Sequence, residues 1–205
     1  MRKADGDDAE RHKAKMARRK AVQDAEVAGK PIESKGLLIV HTGPGKGKST
    51  AAFGLALRAL GRGWRVGVVQ FIKGAWSTGE RVAFQRFGEQ MIWRTMGEGF
   101  TWETQDRQRD IAAAAAAWAK AREMMADPTI RLIVLDELNI ALRYDYLPLA
   151  EVVAALSARR GDLHVVVTGR NAKAELIEAA DLITEMALVK HHFAAGVRAQ
   201  EGIEF

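Results

Sequence analysis

An α/β fold, with a mostly parallel sheet and helices on both of its faces, is predicted by three features of this 205-residue chain. Apolar runs of strand length alternate with helical patterns. A Gly/Lys-rich turn separates the first of those runs from the first strongly patterned helix. A later apolar run closes on two adjacent acids.

The elements follow in order. The run after Gly36 reads as a strand, and after the turn Ala52, Leu55, Ala56 and Ala59 recur at helical spacing, with Gly61 or Gly63 as the stop. Val66 to Ile72 reads as a buried strand and Met91 to Met96 as a weaker one. A long helical pattern, Trp102 to Met125, is centred on Ala112 to Ala117 and ended by Pro128. Arg131 to Asp136 is a further buried strand. Pro148 suits a first helical position, with Leu149, Val152, Val153 and Leu156 on one face and Gly161 beyond the end. Leu163 to Thr168 and Leu182 to Val189 complete a set of six strands. In such a sheet ligands bind at the carboxyl ends of the strands.

The turn is Thr42-Gly-Pro-Gly-Lys-Gly-Lys-Ser-Thr50. Gly43, Gly45 and Gly47 let successive backbone N–H groups face phosphate oxygens, the next helix presents its positive dipole end, and Lys46 and Lys48 add charge. Ser49 has the hydroxyl that such loops place on the magnesium of Mg-ATP, and Thr50 follows it. The general P-loop pattern asks for glycine where Thr42 stands. Pro44 has no N–H, so the cradle is expected from the amides of residues 45 to 50.

Asp136 and Glu137 end the apolar run Leu132-Ile-Val-Leu. A strand neighbouring the loop strand is where nucleotide-binding sheets hold a metal acid. If the strand stays extended, the two carboxylates face opposite sides, so one can serve the metal while the other does something else. Taken alone the pair would also suit a helix N-cap.

Composition narrows the choices. There is no cysteine, which excludes disulfides, thiolate metal sites, iron–sulfur clusters and a thiol nucleophile. The longest apolar run, Ile111 to Ala119, is far short of the ~20 residues that span a bilayer. With no apolar leader in residues 1–35, a cytoplasmic protein is expected. The net charge of +5 is uneven, since residues 1–35 hold ten Lys/Arg against seven Asp/Glu and the rest is nearly neutral. Residues 1–35 read as a polar arm or helix and residues 36–205 as the nucleotide-binding domain. No aromatic side chain interleaves the basic residues Arg11 to Lys20, which argues against nucleic acid.

The cradle alone leaves three chemistries open: phosphoryl transfer, ATP-driven motion on a partner such as DNA, and attack on the adenosine sugar. Beyond it, the blocks Gly47 to Arg58, Val68-Val-Gln-Phe-Ile-Lys-Gly74, Gly99-Phe-Thr-Trp-Glu-Thr-Gln105, Val134 to Leu138, Tyr144-Asp-Tyr-Leu-Pro148, Val167-Thr-Gly-Arg170 and Gly196 to Gly202 occur in order. Together they closely resemble the bacterial ATP:corrinoid adenosyltransferases of the P-loop type, over roughly residues 30 to 205.

That resemblance implies a RecA-like P-loop NTPase-type fold and transfer of the 5'-deoxyadenosyl group of ATP to the Co(I) of a corrinoid, with triphosphate leaving. It implies Mg2+ or Mn2+ as the ion, held by Ser49 and Glu137 with Asp136 in support. Arg58 and Arg170 become candidate contacts to ribose or phosphate. Phe100 and Trp102 match the family's aromatic pair, which displaces the lower axial ligand of Co(II) and so eases reduction; the flanking glycines make Gly97 to Trp102 a candidate lid. The family further implies a homodimer, an arm covering the site, and an external reductant, a flavoprotein. This chain departs from the family at Pro44, where asparagine is frequent, and at Ser49, where threonine is common.

Overall fold

A computed structural model describes residues 3–31, 34–72, 78–96 and 106–204. Its sheet has six strands, β1 (Leu38–Thr42), β2 (Arg65–Gln70), β3 (Met91–Thr95), β4 (Ile130–Asp136), β5 (His164–Thr168) and β6 (Leu182–Glu185). They lie in the order β3-β2-β4-β5-β1-β6, and every pairing is parallel. The expected parallel α/β architecture is therefore the observed one.

Period-two alternation explains why both faces are covered. Leu38, Val40, Val69, Ile133, Leu135, Val165 and Val167 face a core built with α4 (Arg107–Ala126), α5 (Leu138–Arg143), α6 (Leu149–Ser157) and α7 (Ala174–Ala179). Ile39, Val66, Val68, Leu132, Val134 and Val166 face a second core with α2 (Lys48–Leu60) and with Phe84 at the end of α3 (Gly79–Phe84). The alanines of α4 are what bring it close: Ala114, Ala117 and Ala121 are all buried against the sheet side.

Each strand ends on a polar residue: Thr42, Gln70, Thr95, Asp136, Thr168 and Glu185. In register, Gln70 stands opposite both Thr95 and Asp136, and Thr42 opposite Glu185. A polar rim thus follows the carboxyl edge of an apolar sheet. The opposite edge is tied separately, by Arg159, whose guanidinium donates to Gly36 O (2.7 Å) and to Asp181 Oδ2 (2.8 Å).

Several boundaries differ from expectation. β2 stops at Gln70 rather than Ile72, and β6 stops at Glu185, an exposed edge strand too short to reach Val189. α4 begins at Arg107 because Asp106 caps it, its carboxylate accepting from the amides of Gln108 (3.1 Å) and Arg109 (3.2 Å). Trp102, read as the start of that helix, lies outside the described residues. Pro148 occupies the N-cap of α6 instead of its first turn.

Topology corrects one further expectation. β4 is not a neighbour of β1, because β5 is inserted between them. Separately, Lys3–Ala28 form a 26-residue helix, α1, in a unit of their own. No helix among the described residues is long and apolar enough to cross a membrane.

Candidate functional site

The loop between β1 and α2 owes its shape to its glycines. Gly43 and Gly47 have φ of 93° and 101°, in the left-handed region where a side chain would be strained. Gly45 is needed for close approach: a Cβ there would lie 2.5 Å from Ala187 O. The chain leaving β6 presses on this loop, with Met186 N donating to Thr42 O (2.9 Å) and Gly45 N donating to Met186 O (2.6 Å). The cradle expected from the amides of residues 45 to 50 therefore loses its first member, since the Gly45 N–H is already spent on a carbonyl. The amides of the first turn of α2, including Ser49 and Thr50, have no carbonyl four residues back within the helix and point out of its positive end.

Lys48 is only 7% exposed. Its Nζ donates to Gly43 O (2.9 Å) and to Gly45 O, so the loop's own carbonyls hold the ammonium. Burial pulls this lysine below its usual range, and the charges of Arg170 and Lys46 act in the same direction, while Glu137 opposes them. Lys46 is exposed and forms an ion pair with Glu204.

Asp136 is the hub of the site and is fully buried. Its Oδ1 accepts from Ser49 Oγ (2.7 Å) and Thr168 Oγ1 (2.8 Å), and its Oδ2 from Gln70 Nε2 (3.0 Å). The inserted strand β5 is what supplies Thr168, and the side chain of Ser49 reaches Asp136 across it. A hydroxyl that donates to a buried carboxylate keeps its lone pairs for a cation.

Glu137 does not extend β4. With φ 64° it makes a left-handed step into α5, so the opposite-face argument for the two acids fails at that point. Its N–H donates to Thr168 Oγ1 (3.0 Å), and its Oε2 packs over Gly169, 3.1 Å from where a Cβ would stand. The residue sits at an N-cap without making a side-chain cap bond. The carboxylate thus lies over the loop after β5, and its charge opposes the lowering of Lys48.

The other candidates divide. Arg170 is exposed on the loop after β5, which is moored beside the cradle by Ala172 N donating to Thr42 Oγ1 (3.1 Å). Pro44 is exposed at the crest of the loop. Arg58 stands in the last turn of α2, about 15 Å along the axis from Lys48, and is not brought into the cluster. Phe100 and Trp102 lie outside the described residues. Sequence reasoning missed Gln70, Thr168 and Glu204. The first two had a signal, a polar residue closing an apolar run; Glu204, 158 residues from Lys46, had none.

Among the described residues no group of three or more His, Asp or Glu forms a ready-made metal cage. Ser49, Asp136 and Glu137 offer oxygen donors only, which suits a hard ion that keeps most of its shell for water and phosphate.

A loop of this build at the carboxyl edge of a parallel sheet places the chain among the P-loop nucleotide-binding proteins. Sequence comparison narrows the class: residues 34–205 match the family ATP:corrinoid adenosyltransferase BtuR/CobO/CobP, and residues 4–27 match Cob(I)alamin adenosyltransferase N terminal. The chain belongs to the ATP:corrinoid adenosyltransferase family. It is 59% identical to a corrinoid adenosyltransferase of Pseudomonas aeruginosa, over 96% of each chain. It is 48% identical to the corrinoid adenosyltransferase CobA of Salmonella typhimurium, over 96% of this chain and 98% of that one. Among solved structures, the flagellar accessory protein FlaH from Methanocaldococcus jannaschii aligns over 73% of this chain and 70% of that one, with a TM-score of 0.46 and 11% identity.

Proposed function

We propose that the site holds the triphosphate of ATP as a leaving group while the Co(I) of a corrinoid attacks carbon 5' of the ribose. The electron pair of Co(I) forms the cobalt–carbon bond, the C5'–O bond breaks, and its electrons leave on inorganic triphosphate. Co(I) is itself the nucleophile, so the protein has to align the reactants and stabilise the departing charge. The match of residues 34–205 to the family carries this reading, and the loop fits it: Lys48 and the first-turn amides of α2 form a polyphosphate site.

In this reading Lys46, Lys48 and the amides from Lys46 to Thr50 bind the triphosphate. Gly43, Pro44, Gly45 and Gly47 shape the loop. Arg170 adds a positive charge from the next loop, and Arg58 is assigned to the nucleotide by the resemblance alone. Magnesium or manganese would be held by Ser49 and Glu137 with Asp136 supporting Ser49, and when bound it would neutralise charge on the triphosphate. Its oxygen-only donor set is the observation that fits.

Phe100 and Trp102 take the role of displacing the axial ligand of Co(II). The homodimer, the N-terminal arm over the site, the flavoprotein reductant and a cytoplasmic setting belong to the same reading; what supports them is the family resemblance.

The test is to incubate the protein with ATP, magnesium and a chemically reduced corrinoid. Triphosphate and a light-sensitive cobalt–carbon product are expected in equal amounts. ADP as the main product would replace this reading with a phosphotransferase.

A further inference from the structure

Gln70 is a polar residue in a place that burial makes costly. It is 3% exposed at the end of β2, between the two strands that pair with it. Its Oε1 accepts two hydrogen bonds, from Trp93 Nε1 (3.1 Å) and from Thr95 Oγ1 (3.0 Å). The indole N–H is shared with Thr95 Oγ1 (3.2 Å), and because it can only donate, the Gln70 atom it meets must be the amide oxygen. The NH2 end of Gln70 is thereby forced toward β4, where Nε2 donates to Asp136 Oδ2 (3.0 Å).

The indole that sets this orientation is itself fixed. Trp93 packs on Phe53 of α2 and on Phe84, with ring centroids 5.2 Å and 5.8 Å apart. From that aromatic cluster a directed chain runs Trp93 to Gln70 to Asp136, and Asp136 then takes the hydroxyl of Ser49.

We infer that Gln70 is a positioning residue for the nucleotide–metal site. By occupying Asp136 Oδ2 it holds the carboxylate in the rotation that turns Oδ1 to Ser49 and Thr168, and Trp93 keeps the Gln70 amide from flipping. The inference rests on the reading of Ser49 and Asp136 as the metal side of the cradle. It adds a residue from a strand that carries neither the loop nor the acids, and it ties the site to β3, whose end precedes the segment of Phe100 and Trp102.

Gln70→Glu keeps the shape and the acceptor for Trp93 but sets an oxygen against Asp136. The experiment measures ATP binding by calorimetry in excess magnesium and in EDTA, together with the magnesium concentration that gives half-maximal binding. The variant is expected to need roughly tenfold more magnesium, as outer-shell changes at metal sites do, while binding in EDTA stays at the wild-type level. An unchanged magnesium requirement, or an equal loss of affinity with and without the metal, would overturn the inference.

Trp93→Phe is the second variant, since it keeps an aromatic ring against Phe53 and Phe84 and removes the N–H together with part of the bicyclic ring. It should raise the magnesium requirement in the same direction by a smaller factor, and it decides the matter if Gln70→Glu does not fold. No change in Trp93→Phe would then overturn the inference. Because binding is measured without a corrinoid, a failure to alkylate cobalt would count against the proposed reaction and leave this result standing.

Discussion

Lys46 in the glycine-rich loop is paired with Glu204, and the same carboxylate lies 3.5 Å from His192 Nε2. The hydrogen bond from Lys46, opposed by partial burial, leaves Glu204 below its usual pKa. A carboxylate therefore sits on a cation that the proposed reaction needs for triphosphate. Glu204→Gln should release Lys46 and tighten ATP binding by up to about fivefold, the range of a surface ion pair. Weaker ATP binding in this variant would mean that Glu204 serves the nucleotide instead of competing with it.

Lys48 should matter to every form of the reaction. Lys48→Ala is expected to weaken ATP binding roughly tenfold to a hundredfold, the scale of a lost charged hydrogen bond. Assays begun from Co(II) with a reductant and from preformed Co(I) should suffer alike. ATP affinity equal to wild type would contradict the assignment of the cradle.

The aromatic pair should separate those two assays. Phe100→Ala combined with Trp102→Ala is expected to abolish most adenosylation that starts from Co(II) and a protein reductant, yet to spare much of it when Co(I) is supplied. Equal losses on both routes would remove the ligand-displacement role.

His164 gives the fold an acid limit away from the site. Its Nδ1 accepts from Leu37 N (3.2 Å), which requires the unprotonated nitrogen, and its ring stacks on Trp64. Burial, with Arg131 and Arg159 nearby, lowers its pKa from the ordinary 6.5. A depressed folded-state pKa means that the full stability is present above 6.5 and is lost as the pH falls through the folded value. Urea midpoints should therefore fall between about pH 7 and pH 5, and less so in His164→Asn, whose amide oxygen can still accept from Leu37. Parallel pH profiles for the two proteins would assign the acid loss to other groups.

Much of the fold was legible because its signals are local. Six apolar runs and the punctuation between them lie within windows of a few residues, and all six became strands. The ends were less exact: the cap at Asp106 starts α4 at Arg107, and β6 was cut short at an exposed edge. The loop and the acid strand were legible for the same local reason. The partners were not, because Thr168 and Gln70 reach Asp136 only through strand order, and Glu204 only through the return of a distant segment.

By itself the sequence determined the chemistry available to this protein: a phosphate loop, a strand-end acid pair, no thiol, and the ordered blocks that mark its family. The tertiary structure decided how those parts are wired. Inserting β5 between β1 and β4 put Thr168 beside Asp136, a left-handed Glu137 split the two acids, and the chain after β6 took the amide of Gly45. The physical reason is that side-chain types are chosen one position at a time, whereas a hydrogen bond between strands exists only once long-range pairing has set which strand ends lie side by side.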